Sequence, residues 1–302
     1  MEKKRLSDYR ALARMTMKGH YGTMLLAVIV VYAIQMIISQ LFREFAATQS
    51  VVMLAAFFVL ELMVSIIILG PLSIGLNGFF ISCISGEYEV KNVFNPFTTN
   101  LTNTVKVYFF MQLKLFLWLI VPWLIGMALV AAVVIVAVLS GGAVWTEQLA
   151  MYLTELGELL QGTNTDIAGI SAAQLAVFAA VYLCALGVSL LFMIPGIIKT
   201  YEYAMIQYIV AEDPDISVKE AFRRTKIMMQ GNKLRYFGLT MSFIGWLLLG
   251  MLVFVVGIVF VLPYMNAAAA HFYVDVKKRL GTSEANIADA YDDIDNGTTF
   301  GI

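Results

Sequence analysis

Charged side chains are scarce in this 302-residue chain, where Asp, Glu, Lys and Arg together make up 14% of the residues. A water-soluble domain carries about 25%. That shortage excludes an ordinary globular protein. Cysteine is nearly absent too: Cys83 and Cys184 each sit inside an apolar stretch, where a thiol behaves as a small hydrophobe, so no disulfide and no cysteine metal site is expected. The two histidines, His20 and His271, have no companion at i+3 or i+4, which leaves metal ligation nothing to build on. No cofactor is implied. A net charge of −1 argues neither for nor against nucleic acid, but basic clusters next to apolar spans point to anionic headgroups instead, and no nucleic-acid partner is expected.

Hydrocarbon is what the chain has in excess. Apolar residues make up 60% of it and the mean hydropathy is +0.81. Uncharged runs such as Leu115 to Thr146 and Tyr236 to Val274 far exceed the ~20 residues that cross a bilayer. A bilayer forbids unpaired lipid-facing backbone, so these runs should be helices. The expected fold is therefore all-α, a polytopic helical membrane protein with about six transmembrane helices arranged as three hairpins, with amphipathic helices on the cytoplasmic side. The first apolar run is too long for a cleavable signal peptide.

The charge pattern places spans at about 21–42, 48–72, 112–138, 173–198, 236–256 and 258–275. As one helix, the last uncharged run would be about 58 Å long, nearly twice the hydrocarbon core. It must fold back once, and Gly257 is the expected turn. In this arrangement all but Arg43 of the 20 Lys and Arg residues fall on one side, which the retention of basic loops marks as cytoplasmic, together with both termini. The loop 140–172 is acidic, without a base, and faces outward. Residues 1–280 then form a single integral membrane domain with a cytoplasmic segment at 199–235, and 281–302 is an acidic, flexible tail.

Prolines, only six in all, recur in a pattern. Pro71, Pro195 and Pro263 each end an apolar run about sixteen residues before a polar stretch, and Ser7, Ala11 and Arg14 are spaced as Ser217, Ala221 and Arg224 are. Three related helix-plus-hairpin units are expected. Ser217 and Glu220 form an S-x-x-E capping box, so a helix should start at Val218, run to about Gln230 and stop at Gly231. It would place Ala221, Phe222, Thr225, Met228 and Met229 on one face and Lys219, Arg223 and Lys226 on another. The N-terminal helix is similar, with Arg10, Arg14 and Lys18 opposite Leu6, Tyr9, Ala13 and Met17. Arg10, Arg14, Lys18, Lys219, Arg223, Arg224 and Lys226 are the candidate contacts for anionic lipid, at about 1 kcal/mol each near the surface.

Ionisable groups at membrane depth are candidates for function. Glu61 falls near the middle of the second span. Lys199 and Glu202, three apart, share a helical face at the cytoplasmic boundary and can neutralise each other. These three are the candidates for a solute or ion pathway. The glycines at 70, 75 and 78 lack the strand-to-helix context of a phosphate loop and are expected to permit close helix packing. The acidic cluster Glu212, Asp213 and Asp215 reads as a turn, since a divalent cation wants more oxygen ligands. No catalytic elbow, zinc motif or Ser/His/Asp set is present.

Residues 195 to 273 resemble the domain of unknown function 975 family. The resemblance rests on Pro195-Gly196-Ile197-Ile198-Lys199 with Tyr201 and Tyr203, on Pro214-Asp215-Ile216-Ser217 with Glu220-Ala221, and on Lys226, Met229, Gly231 and Lys233. It continues through Ser242-Phe243-Ile244-Gly245-Trp246 and Pro263-Tyr264 with Ala267 and Phe272-Tyr273; the first half is similar only in layout. The resemblance implies a multi-span protein of bacterial plasma membranes and supplies no catalytic residues. The expected function is non-enzymatic: binding of membrane lipid, anionic in kind, or of a protein partner in envelope maintenance. The alternative is a transporter or lipid-moving permease using Glu61 and the Lys199/Glu202 pair. An intramembrane enzyme would have only Glu202, Asp213, Asp215 and His271 to draw on.

Overall fold

The computed structural model describes residues 4–46, 51–141, 187, 190, 193–252 and 256–281. The loop at 142–172, the tail at 282–302, Cys184 and most of the expected span 173–198 lie outside them. No strand occurs among the described residues, and five helical spans are long and apolar enough to cross a membrane: Tyr21–Phe42, Ala56–Ile84, Leu101–Ala128, Lys233–Leu252 and Gly257–Gly281. This is an all-α, polytopic membrane protein. Its outward surface shows why: Phe58 is 68% exposed, Trp123 60% and Leu252 79%, a coat that only lipid solvates without penalty.

The chain divides into two compact units, Met1–Leu113 with Thr200–Ile302, and Lys114–Lys199. The first begins with α1 (Leu6–Met17) and α2 (Tyr21–Ala46). Next, α3 (Val51–Val64) passes through a π-turn at Ser65–Leu69 into α4 (Gly70–Ile84). A 3₁₀ turn at Val90–Phe94 and α5 (Asn95–Thr98) lead to α6 (Leu101–Gly141), which continues into the second unit. After helical residues 193–202 come α7 (Ile206–Glu212), α8 (Val218–Met229), α9 (Lys233–Met241), α10 (Ile244–Leu252) and α11 (Val256–Gly281). In the first unit α11 packs against α1, α2, α4 and α10, and α4 packs on α7 and the 3₁₀ turn.

Among the boundaries that differ from the sequence expectation, three have a local cause. The second span does not end near Pro71, because a proline whose missing N–H is absorbed by the loosened π-turn can sit early in the next helix instead of breaking it. The third starts at Leu101 rather than about 112, since the Asn100 side chain accepts from Asn103 N at 3.0 Å and caps α6. Lys106 and Lys114 are therefore helical residues of that span, where long stems can carry the charge toward the interface. Gly257 is not the turn. It lies inside α11 facing Gly250 of α10, where an added Cβ would stand 2.7 Å from the Gly250 backbone, so it serves close packing of the folded-back pair.

The repeat between the two amphipathic helices is structural. Both are 12 residues long, and both end on an extended residue, Lys18 (φ −63°, ψ 119°) and Gln230 (φ −62°, ψ 122°). A glycine at positive φ follows each, Gly19 at 85° and Gly231 at 66°. With His20 N bonded to Met17 O and Asn232 N to Met229 O, each at 3.1 Å, these are type II turns leading into α2 and α9. A Cβ at Gly231 would touch nothing, so the requirement is conformational alone. Gly231→Ala should cost about 1–2 kcal/mol, read as a lowered thermal midpoint in detergent; an unchanged midpoint would contradict the turn.

Candidate functional site

The short helices and turns of the first unit form a polar layer at one end of its spans, because α1 leads into α2, α8 leads into α9, and α4 and α11 end there. The α8 helix folds as its pattern requires. Ser217 Oγ accepts from Glu220 N at 3.3 Å, and Ala221, Phe222, Thr225, Met228 and Met229 are all buried. The second half of the capping box is not made: the Glu220 carboxylate instead takes Arg223 Nη2 at 2.7 Å and Arg224 Nε at 2.9 Å. Burial pushes the Glu220 carboxyl up, but these two guanidinium groups outweigh it and hold the group below its usual value. Arg224 also lies 3.5 Å from Asp213. Arg223 and Arg224, expected as lipid contacts, are thus engaged by acids of their own surface.

The other candidate cations are placed differently. Arg14, Lys18, Lys219 and Lys226 are exposed and Arg10 half-buried, and none of the five makes an ion pair among the described residues. On α1 the opposite face, Tyr9 and Ala13, is fully buried.

Other charges in the layer are also matched, one of them buried. Glu202 is 6% exposed and accepts from Lys233 Nζ at 2.5 Å, while the Thr225 hydroxyl donates to the Glu202 carbonyl at 3.0 Å. The acidic cluster near 213 is a turn, as expected, each acid with its own partner: Glu212 takes Tyr273 and Lys277, Asp213 takes Arg224, and Asp215 takes the Asn100 amide at 2.6 Å. The Asn103 amide donates to the Pro214 and Ile216 carbonyls at 2.8 and 2.7 Å. Asn100 and Asn103 clamp this turn to α6, and no motif in the sequence marks them for it. The histidines have packing roles: His20 stacks on Tyr88 with centroids 3.8 Å apart, and His271 Nε2 is 2.7 Å from the Thr16 hydroxyl.

A neutral cleft of about 210 Å³ opens among α4, α7, α9 and α11. Asn77, Gln207, Tyr208, Tyr236 and Asn266 line it, with Asn77 Nδ2 donating to Gln207 Oε1 at 2.7 Å. Burial holds the Tyr208 phenol well above its ordinary value, so it stays a neutral hydrogen-bonding group. Such a lining offers hydrogen-bonding groups and no charge.

The pathway candidates lie elsewhere. Glu61 is not near the middle of its span; it is the sixth residue of Ala56–Ile84, exposed on the apolar outer face beside Leu60 and Leu62, because the helix extends twelve residues beyond the expected end. Neither Glu61, Lys199 nor Glu202 lines this cleft. In the second unit, Lys199 Nζ stands 5.4 Å from the Trp118 ring centroid, and Gly196 lets that turn approach Leu119, whose Cδ2 would be 3.0 Å from an added Cβ. In the first, the glycines of α4 pack as expected: Gly70 faces the Tyr108 ring and Gly75 the Val93 carbonyl.

No curated protein and no solved structure matches the chain. The family described as protein of unknown function (DUF975) does match, over residues 1–280, which takes in the first half as well as the motifs between 195 and 273. The chain belongs to that family.

Proposed function

We propose that the protein is a non-enzymatic, multi-pass component of the bacterial plasma membrane, termini cytoplasmic, that binds anionic lipid headgroups at its cytoplasmic end. The observation that carries this is the set of cations Arg10, Arg14, Lys18, Lys219 and Lys226, which no acid among the described residues neutralises. Their two helices have docked their apolar faces on the bundle, so neither is free to insert into lipid. What remains outward is charge at the depth where the spans begin. A base near such a surface contributes about 1 kcal/mol, and several act together. The engaged acids, Glu220 and Asp213, confine the attraction to these positions.

Exchange of Arg14, Lys18, Lys219 and Lys226 for glutamine should weaken retention of phosphatidylglycerol relative to phosphatidylcholine by about 100-fold or more. Native mass spectrometry of nanodiscs of mixed composition reads this directly. Arg224→Gln should change it much less, because Glu220 and Asp213 hold that guanidinium. Undiminished anionic preference in the fourfold variant would overturn the proposal.

A further inference from the structure

The polar layer contains a second cavity, of about 150 Å³, bounded by α4, the Val90–Phe94 turn, α5, the start of α6 and residues 210–214. Glycines bring its walls together: a Cβ at Gly78 would stand 3.2 Å from Ala211 Cβ, and one at Gly75 would fall on the Val93 carbonyl. Thr104 lines it. That residue is 1% exposed and its hydroxyl has no hydrogen-bond partner among the described residues. A helical threonine ordinarily turns its hydroxyl back to the carbonyl four residues earlier; here the Asn100 carbonyl takes only the Thr104 N–H, at 3.0 Å. An unsatisfied buried hydroxyl is costly enough that native proteins give it a partner.

The rest of the lining indicates the kind of partner. Ser82 and Asn92 also line the cavity, and their side chains make no hydrogen bond among the described residues. The one carboxylate on the wall, Glu212, is already engaged by Tyr273 and Lys277. Hydroxyls and a carboxamide both donate and accept, so they favour a group that does the same and carries no charge. A cavity of about 150 Å³ can hold a small organic molecule of about six heavy atoms, which is room for a three-carbon diol.

We propose that this cavity binds a neutral vicinal diol of glycerol size, with Thr104, Ser82 and Asn92 as its hydrogen-bonding partners. Where the diol is the headgroup of an anionic lipid, the inference rests on the lipid binding proposed above; free glycerol is the other source of the same chemistry. The test compares retention of phosphatidylglycerol, phosphatidylmethanol, which has the same charge without the diol, and phosphatidylcholine by the full chain in nanodiscs. Wild type should favour phosphatidylglycerol over phosphatidylmethanol about tenfold, as 1.4 kcal/mol of added hydrogen bonding gives. Thr104→Val, which keeps the volume and removes an unpartnered hydroxyl, should bring the two within about twofold without loss of folding; Ser82→Ala should act in the same direction. Saturation-transfer NMR with free glycerol separates the sources: equal retention of the two lipids, with a glycerol signal that Thr104→Val removes, assigns the site to a soluble polyol. Equal retention with no such signal overturns the diol site. If both anionic lipids still exceed phosphatidylcholine, anionic binding stands without it; if neither does, the lipid proposal fails as well.

Discussion

Asp275→Ala is expected to cost about 3–5 kcal/mol, the magnitude seen when one member of a buried charged cluster is removed. Asp275 is 8% exposed and accepts from the Tyr9 hydroxyl at 2.7 Å and Arg279 Nε at 3.0 Å, with Lys4 Nζ at 3.6 Å. Burial first, and then the neighbouring carboxylate, push the Tyr9 phenol up to about 12, so it remains a neutral donor throughout the physiological range. Arg235 Nη2 completes the cluster by reaching the Lys4 carbonyl at 2.6 Å. Loss of the carboxylate leaves the Arg279 side chain, 12% exposed, without this counter-charge and removes the Tyr9 hydrogen bond that ties α1 to α11. The thermal midpoint in detergent should fall by roughly 10 °C. Tyr9→Phe alone should cost about 1 kcal/mol, and the double variant less than the sum of the two, because both remove the same bond. A loss below about 1 kcal/mol for Asp275→Ala would mean that α1 is held by its apolar face alone.

The second large effect is expected at Gly75. Its added Cβ would overlap the Val93 carbonyl and press on Pro96, and the obstacle is backbone, which has no rotamer to yield. Gly75→Ala should therefore reach or pass the upper end of ordinary overpacking, about 3 kcal/mol, by lifting the 3₁₀ turn away from α4. Gly22→Ala is the matched control, since nothing lies within 4 Å of a Cβ there. Urea titration of secondary structure in micelles compares the two; equal stability of both variants would show that the turn is free to move.

Local physics accounts for how much could be read beforehand. The α8 helix begins after Ser217, ends before Gly231 and buries the five residues its periodicity assigned, because capping, turn conformation and helical period involve neighbours only. The type II turns at Gly19 and Gly231 follow from the same short-range rules. Glu61 was misplaced for a related reason: its distance from the membrane edge depends on where α4 stops, and the π-turn before Pro71 moves that end.

Partnerships between distant residues were not legible. Glu202 accepts from Lys233, 31 positions on, a partner that no local spacing points to. Arg223 and Arg224 carry the same charge as Lys219 and Lys226, and only the placement of Glu220 and Asp213 separates engaged cations from available ones. Tyr9 and Asp275, 266 positions apart, meet because α1 packs on α11. The orphaned Thr104 hydroxyl belongs to the same class, since its surroundings come from three other parts of the chain.

By itself the sequence determined the class of solvent and the helices that suit it, because the excess of hydrocarbon, the length of the uncharged runs and the period of the amphipathic segments are additive properties of consecutive residues. Tertiary structure alone decided which distant charges are paired, what the glycines of α4 and α11 pack against and where a polar cavity opens. Those outcomes depend on which side chain packing brings within 3 Å of another, a distance no composition or spacing along the chain encodes.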